Sequence, residues 1–531
     1  MIPKRSCLRA VLLAGLMAGA APALAQPEQR PLRLTMNTEL QILDPIVTPS
    51  VVTRAFGFMV WDTLVSPDSR GEMRPQMLEG WEVSDDRMTW TFRLREGLEW
   101  HDGTPVTAED CIASLRRWAQ RDGLGRQLMA AASEWRVVDA RSFQLVLARP
   151  FGQVLQALGK TATPVPFIMP ARLANTPATT QVPEIVGSGP FLFRRDEWRM
   201  GDRVVFHRNP RYRPRSEPAD GLSGGKVVHI ERAEFVSLPD STTRVAALQT
   251  GEIDYLERVP LDFVERLRRD RNLVVTPGMG PAQIFGVLTL NHSQPPFNDI
   301  RVRRALQAAI QQPEIMAGLG LPRGMYQEQC NTIYMCGARF ATEAGGEALR
   351  NTGPDRARAL LRESGYANQP IVVLHSQDSA LINPVTLVAV EQMRRAGFNL
   401  DIRTTDWSTV AQRRTSRQPV EQGGWNVVPL VWTGFDMEDP SGNPVLVHNC
   451  GNAYPGWWCD ERQRPLLEAF LAENDPTRQQ ELAAQLQAMA HEHVSVVILG
   501  QFASPGAYRA NLRGLLDVGF PVLWNIQRAA R

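Results

Sequence analysis

Gly221-Leu222-Ser223-Gly224-Gly225 has the G-x-S-x-G spacing that exposes a nucleophilic serine where a strand turns sharply into a helix. A proline-rich loop precedes it and no helical pattern follows, so these residues read as loop glycines. His491-Glu492-His493 offers two imidazoles and a carboxylate, but residues two apart on a helix face different ways and do not share one ion. HExxH, the phosphate-cradling G-x-x-x-x-G-K-[ST] and a strand-linked G-x-G-x-x-G are all missing from the sequence. Asn291-His292-Ser293 has the spacing of a glycosylation acceptor, which chance also supplies. No catalytic residues, metal ligands or cofactor are therefore expected, and binding is favoured over chemistry.

Five cysteines lie beyond the first 25 residues. Cys330 and Cys336 bracket NTIYM, and Cys450 and Cys459 bracket GNAYPGWW, which in an oxidising compartment reads as two local disulfides. A four-cysteine metal site is the rival, but neither pair has the C-x₂₋₄-C spacing of structural zinc. Trp425, Trp432, Trp457, Trp458 and Trp524 cluster in the C-terminal half, where large rings with a polar edge suit either a ligand wall or plain core.

The elements that would position these groups are legible in the patterning. Thr89–Leu94 and Ser142–Leu147 alternate at period two, as half-buried strands do. Thr107 and Asp110 stand at capping-box spacing ahead of a helix that carries Cys111, Leu115 and Trp118 on one face, so Cys111 is expected as a buried, inert thiol. Asn298-Asp299 opens a helix with Ile300, Leu306, Ala309 and Ile310 inward and Arg301, Arg303 and Arg304 solvated. Pro354 and Asn383-Pro384 start two more, ending at Gly365 and Gly397. Strand-like runs follow at 371–374 and 399–403, and a long helix at 476–493 precedes an apolar strand at 494–499. Strands alternating with helices predict an α/β architecture.

At 531 residues the chain exceeds what one core organises, so at least two lobes are expected. Lys+Arg 58 against Asp+Glu 56 is no footprint for nucleic acid. Lys4, Arg5 and Arg9, the apolar run from Leu8 to Ala20 and Ala23-Leu24-Ala25 follow the order of a secretory signal peptide over residues 1–25, cleaved after Ala25. Removing it takes the formal charge from +2 to −1, and no later stretch is long and apolar enough to span a bilayer. A periplasmic protein is expected.

The segment GWEVSDDRMTWTFRLREGLEWHDGTPVTAEDCIASLRRW, residues 80–118, resembles the signature of the bacterial extracellular solute-binding proteins of family five, the dipeptide-, oligopeptide- and nickel-binding components of ABC importers. The resemblance continues in order through Leu43-Asp44-Pro45, VWDTLV at 60–65, GSGPFLF at 187–193, NPRY at 209–212, TGEIDY at 250–255, LTLNHSQPPFNDIRVRRAL at 288–306, DRARALLRESGY at 355–366 and WTGFDMEDP at 432–440. It implies a two-lobed periplasmic binding protein (type II, a Venus flytrap) with an extra inserted domain. Domain I would comprise 26–65, 187–278 and 496–531, domain II 66–186 and domain III 279–495, with crossings near Thr276 and Val496 as the hinge.

What the resemblance implies about function is a monomeric receptor that closes on a peptide or peptide-like solute and passes it to the permease subunits. A metal-chelate receptor on the same fold and a secreted hydrolase are the alternatives. In peptide-binding members a carboxylate just after the Trp of the WTG-like segment anchors the ligand's amino group. Here Trp432-Thr433-Gly434-Phe435-Asp436 displaces it by one residue, so Asp436 is the candidate anchor, with Asp439 or a purely structural role for Asp436 as the rivals. Where dipeptide binders carry an arginine for the ligand carboxylate, this chain has His375-Ser376-Gln377-Asp378, leaving Ser376 as the ligand-facing candidate.

Overall fold

Thr107 caps the helix Ala108–Ala119: its hydroxyl accepts from the Asp110 N–H while the Asp110 carboxylate accepts from the Thr107 N–H at 2.8 Å. Cys111, Leu115 and Trp118 turn inward, and burial pushes the Cys111 thiol well up. The computed structural model of the protein describes residues 30–446, 450 and 454–529; the signal-peptide reading of 1–25 lies outside them. The helix packs on a four-stranded antiparallel sheet ordered Leu78–Val83, Thr89–Leu94, Ser142–Leu147, Ala132–Val137. Both strands read from their alternation have the expected limits, because one face is buried and the other wet.

Two larger sheets make the lobes. The first has seven strands in the order Leu273–Val275, Ala507–Arg509, Tyr255–Leu256, Leu32–Thr35, Arg232–Val236, Arg203–Arg208, Phe191–Phe193, with Leu32–Thr35 parallel to both its neighbours. The second has six, Tyr326–Gln327, Val496–Phe502, Ile284–Leu290, Val427–Thr433, Ile371–Ser376, Leu400–Thr405, covered by helices that include Ile300–Ala309 and Ile382–Arg395.

Two expectations change. Val496–Phe502 is a fully buried strand of the second sheet, so the return crossing begins beyond Phe502 and not near Val496. Arg303 is not solvated: it is buried, donating to the carbonyls of Phe297 (2.6 Å) and His493 (3.0 Å). Patterning misassigns it because an arginine can reach backbone oxygens across its helix's own buried edge.

The crossings pair with each other. Thr276 N–H donates to Gly506 O (2.9 Å), Gly506 N–H to the Thr276 hydroxyl (2.8 Å), and Ser504 N–H to Gly278 O (2.9 Å). Gly278 has φ +63°, and a Cβ there would lie 2.4 Å from Pro505 N, so the close approach needs glycine.

Several residues of the recurrent segments are buried ion pairs of the first lobe. Asp44 accepts from Arg117 Nη1 (3.2 Å) and Nη2 (2.8 Å) and from the N–H groups of Ile46 and Val182. Asp62 accepts from Lys226 Nζ (2.7 Å) and the Tyr212 hydroxyl (2.9 Å), and Asp254 accepts from both Arg528 Nη atoms at 2.9 Å. Removing one member strands the other charge in the core. Asp44→Ala is expected to cost about 3–5 kcal/mol, read as a lowered urea midpoint.

Candidate functional site

Strand Val427–Thr433 passes directly into the short helix Gly434–Met437, and the turn is closed by its own side chains. The Asp436 carboxylate accepts from the Thr433 hydroxyl (2.7 Å) and the Thr433 N–H (3.2 Å), a capping box. A Cβ on Gly434 would sit 2.5 Å from Gly280 O, so this position packs against the first crossing. Phe435 is thereby aimed out of the second lobe onto the first. Its ring lies 5.8 Å from that of Phe520 and 4.2 Å from the Arg54 guanidinium carbon, and a Cβ on Gly519 would meet it at 2.8 Å.

Beside Phe435 opens a cleft of about 420 Å³, within the size range of small-molecule sites. The first half of the chain contributes the Pro67–Met73 segment and Thr161, and the C-terminal segment adds Asp517 and Val518. The second lobe contributes Gly337–Phe340, Phe435, Glu438, Asp439 and Gly442. Asp439 accepts from Ser441 N–H (2.6 Å) and its hydroxyl (2.5 Å). Glu438 is open to cleft water yet ringed by protein, and its carboxyl is pushed up to about 7, by desolvation first and the Asp439 charge second. Asp68 is held below the usual carboxylate range despite its burial, by the N–H groups of Glu72 and Arg70 and by Arg74. Lys160 is engaged with Asp122 at 2.7 Å.

The sequence candidates separate in space. Phe435 lines the cleft, but Asp436 does not: its half-buried carboxylate serves the turn, and Glu438 and Asp439 are the acids of this segment that face the cavity. Thr433 and Gly434 shape the turn. Trp432 lines a smaller cavity with Tyr454, Trp457 and Trp458, its ring 6.0 Å from that of Tyr454. Ser376 is buried away from the cleft, its hydroxyl given to Asp378 at 2.8 Å, and His375 bonds Asn383 and Thr404. Trp425 and Trp524 are core, the latter under the Lys226 ammonium at 4.8 Å.

Both cysteine pairs are bonded, Cys330–Cys336 and Cys450–Cys459. The first ends at the cleft-lining Gly337–Phe340 loop, and the Cys336 N–H is fixed on Gln501 at 2.8 Å; the second encloses the segment that carries Trp457 and Trp458. The serine of Gly221–Gly225 bonds Asp220 O within a turn, His491 bonds Asn331 O, and His493 pairs with Asp460. Among the described residues no group of three or more His, Cys, Asp or Glu is placed to hold a metal ion. None of their helices is long and apolar enough to cross a membrane.

Sequence reasoning missed Arg54, Glu438 and Phe520. The signal for Arg54 was available: it is the one charged residue in VVTRAFGFMV, an otherwise apolar helix.

The sequence description "Bacterial extracellular solute-binding proteins, family 5 Middle" matches residues 72–454. A probable peptide ABC transporter periplasmic-binding protein of Sinorhizobium fredii is 35% identical, covering 98% of this chain and 99% of the relative. Among solved structures, the periplasmic binding protein DppA of Helicobacter pylori with the peptide STSA superposes with a TM-score of 0.76 at 20% identity, covering 94% of this chain and 98% of that one. The dipeptide-binding protein of Pseudoalteromonas sp. SM9913 with Met-Leu gives 0.77 at 20% identity, covering 94% and 100%.

Two measurements probe the site. Between about pH 4.5 and 7 folded Glu438 keeps a proton that the unfolded chain has released, so this residue's stabilising effect declines as pH rises through 7. Glu438→Gln is expected to flatten that part of the dependence of melting temperature on pH. Replacing Cys330 and Cys336 by serine opens a short loop and is expected to cost about 2 kcal/mol in urea unfolding, with weakened solute retention because Gly337–Phe340 is freed.

Proposed function

The chain belongs to the bacterial extracellular solute-binding proteins of family 5, and from that membership we propose that it is the periplasmic receptor of an ABC importer, closing on a peptide or peptide-like small molecule and delivering it to the membrane permease. The observation that carries this reading is the cleft itself. Its walls come from both lobes, and the lobes are joined by two short crossings bonded to each other, so the cavity's shape changes with their angle. A solute drives closure only through contacts absent from the open form, and a cleft walled from both sides supplies them. The carboxylates of Glu438 and Asp439 suit an ammonium group, while backbone and aromatic surface suit the remainder of a short peptide.

On this reading the protein is exported by residues 1–25, acts as a monomer, and returns its solute chemically unaltered. Domain I would take 26–65, 187–278 and the segment after Phe502, domain II 66–186, and domain III the residues between.

Protein purified from its own host without refolding, examined by native mass spectrometry, is expected to carry a peptide-sized guest. Incubation with a mixed peptide library should leave every peptide mass unchanged while a subset is retained, and X-ray scattering should show a smaller radius of gyration with that subset present. Cleavage of any peptide, or identical scattering with and without every retained compound, would overturn the reading.

A further inference from the structure

We propose that Arg54 is the cleft's carboxylate receptor: a carboxylate of the bound solute, from its C-terminus or from an acidic side chain, pairs with this guanidinium. The inference rests on the reading above and names the chemical class of the solute. Arg54 lies in the helix Val51–Val60 of the first lobe and is 4% exposed. Its Nε is enclosed with no acceptor, and Nη1 reaches only Thr161 O, at 3.4 Å. Among the described residues no carboxylate stands within 4.0 Å; Asp436 and Glu257 act on it only from farther off. Other buried cations are answered: Arg117 by Asp44, Lys226 by Asp62, Arg303 by two carbonyls. Arg54 alone of these four keeps an orphaned donor.

What surrounds it points to an incoming anion. The guanidinium carbon is 4.2 Å from the Phe435 ring centre and 4.6 Å from that of Phe520, and the rings are themselves 5.8 Å apart, so they form a corner and not a sandwich. Rings favour the cation but accept none of its in-plane N–H bonds. Desolvation correspondingly pulls the Arg54 pKa down to about 10. Of its neighbours, Thr161 and Phe435 line the cleft and Phe520 lines a separate cavity with Tyr255 and Glu257, so the guanidinium sits behind the Thr161–Phe435 part of the cleft wall. Phe435 belongs to the second lobe and Arg54 to the first, so the guanidinium lies at the lobe boundary, beside the space in which a solute is held. A planar fork with free N–H groups matches a carboxylate in geometry and in charge. The second lobe's His375–Asp378 segment presents no arginine for that purpose.

The test uses the full mature protein and a mixture of peptides two to five residues long. Each sequence ends in Gln or Glu, and each is made with a free C-terminus and with a C-terminal amide. After equilibration and desalting, retained peptides are quantified by mass spectrometry. The wild type is expected to retain the carboxylate-free form, Gln with an amide, at least tenfold less than the others. The ratio of the Gln acid to the Glu amide then tells which carboxylate is read. Arg54→Met should erase the tenfold difference by lowering retention of the carboxylate-bearing forms toward that of the carboxylate-free form. Arg54→Lys, which keeps the charge but not the fork, should fall between and serves if the methionine variant fails to fold by circular dichroism. Equal retention of all forms by the wild type, or the same preference in a folded Arg54 variant, overturns the proposal and leaves the peptide reading standing. Retention of no peptide in any form overturns both.

Discussion

The backbone passes between the two lobes at Thr276–Gly278 and Ser504–Gly506, and those passages are hydrogen-bonded to each other. That pairing is the constraint on which the rest depends. It fixes which residues of the two sheets face one another beside the junction. Gly278, Gly280 and Gly434 form the packed approach beneath it, since any side chain at Gly278 or Gly434 would run into backbone. Phe435 projects from this junction, so the ring that touches the opposite lobe sits beside the crossings and at the edge of the cleft.

Stability and recognition use different charges. The buried pairs Asp44–Arg117 and Asp62–Lys226 are satisfied within the first lobe and, like the partly exposed Asp254–Arg528 pair, stand apart from the cleft lining. They hold distant stretches of chain in register, and their worth lies in the penalty for breaking them. The cleft collects groups that are less completely answered: Glu438 with its raised carboxyl, Asp517 raised by burial, and Arg54 behind the Phe435 wall. Unspent hydrogen-bonding capacity at a lobe boundary is what a solute can use.

The disulfides follow the same division. Cys330–Cys336 closes too short a loop to hold the fold together, but it fixes the approach to Gly337–Phe340 on the cleft wall. Stiffening a wall before binding lowers the ordering entropy that closure has to overcome.

Local structure was legible wherever local chemistry decides it. Period-two alternation gave the limits of Thr89–Leu94 and Ser142–Leu147, and the Thr107–Asp110 box gave a helix start, because both depend on neighbours a few residues away. Cysteine spacing gave both pairings for a similar reason. The site was legible only in part. WTGFDMEDP led to a turn at the cleft, but its pattern did not tell the acid that caps Thr433, Asp436, from those that face the cavity, Glu438 and Asp439, a division that only the folded turn makes. Arg303 and Val496 went astray since one finds the His493 carbonyl from a distant segment beside the nearby Phe297 carbonyl, and the other finds a strand partner more than two hundred residues away. Sequence by itself determined the α/β alternation, the paired cysteines and the family's segments in order, all set by short-range pattern. Tertiary structure alone decided which charges are answered and which face the cleft, because that depends on what the other lobe brings to within a few ångströms.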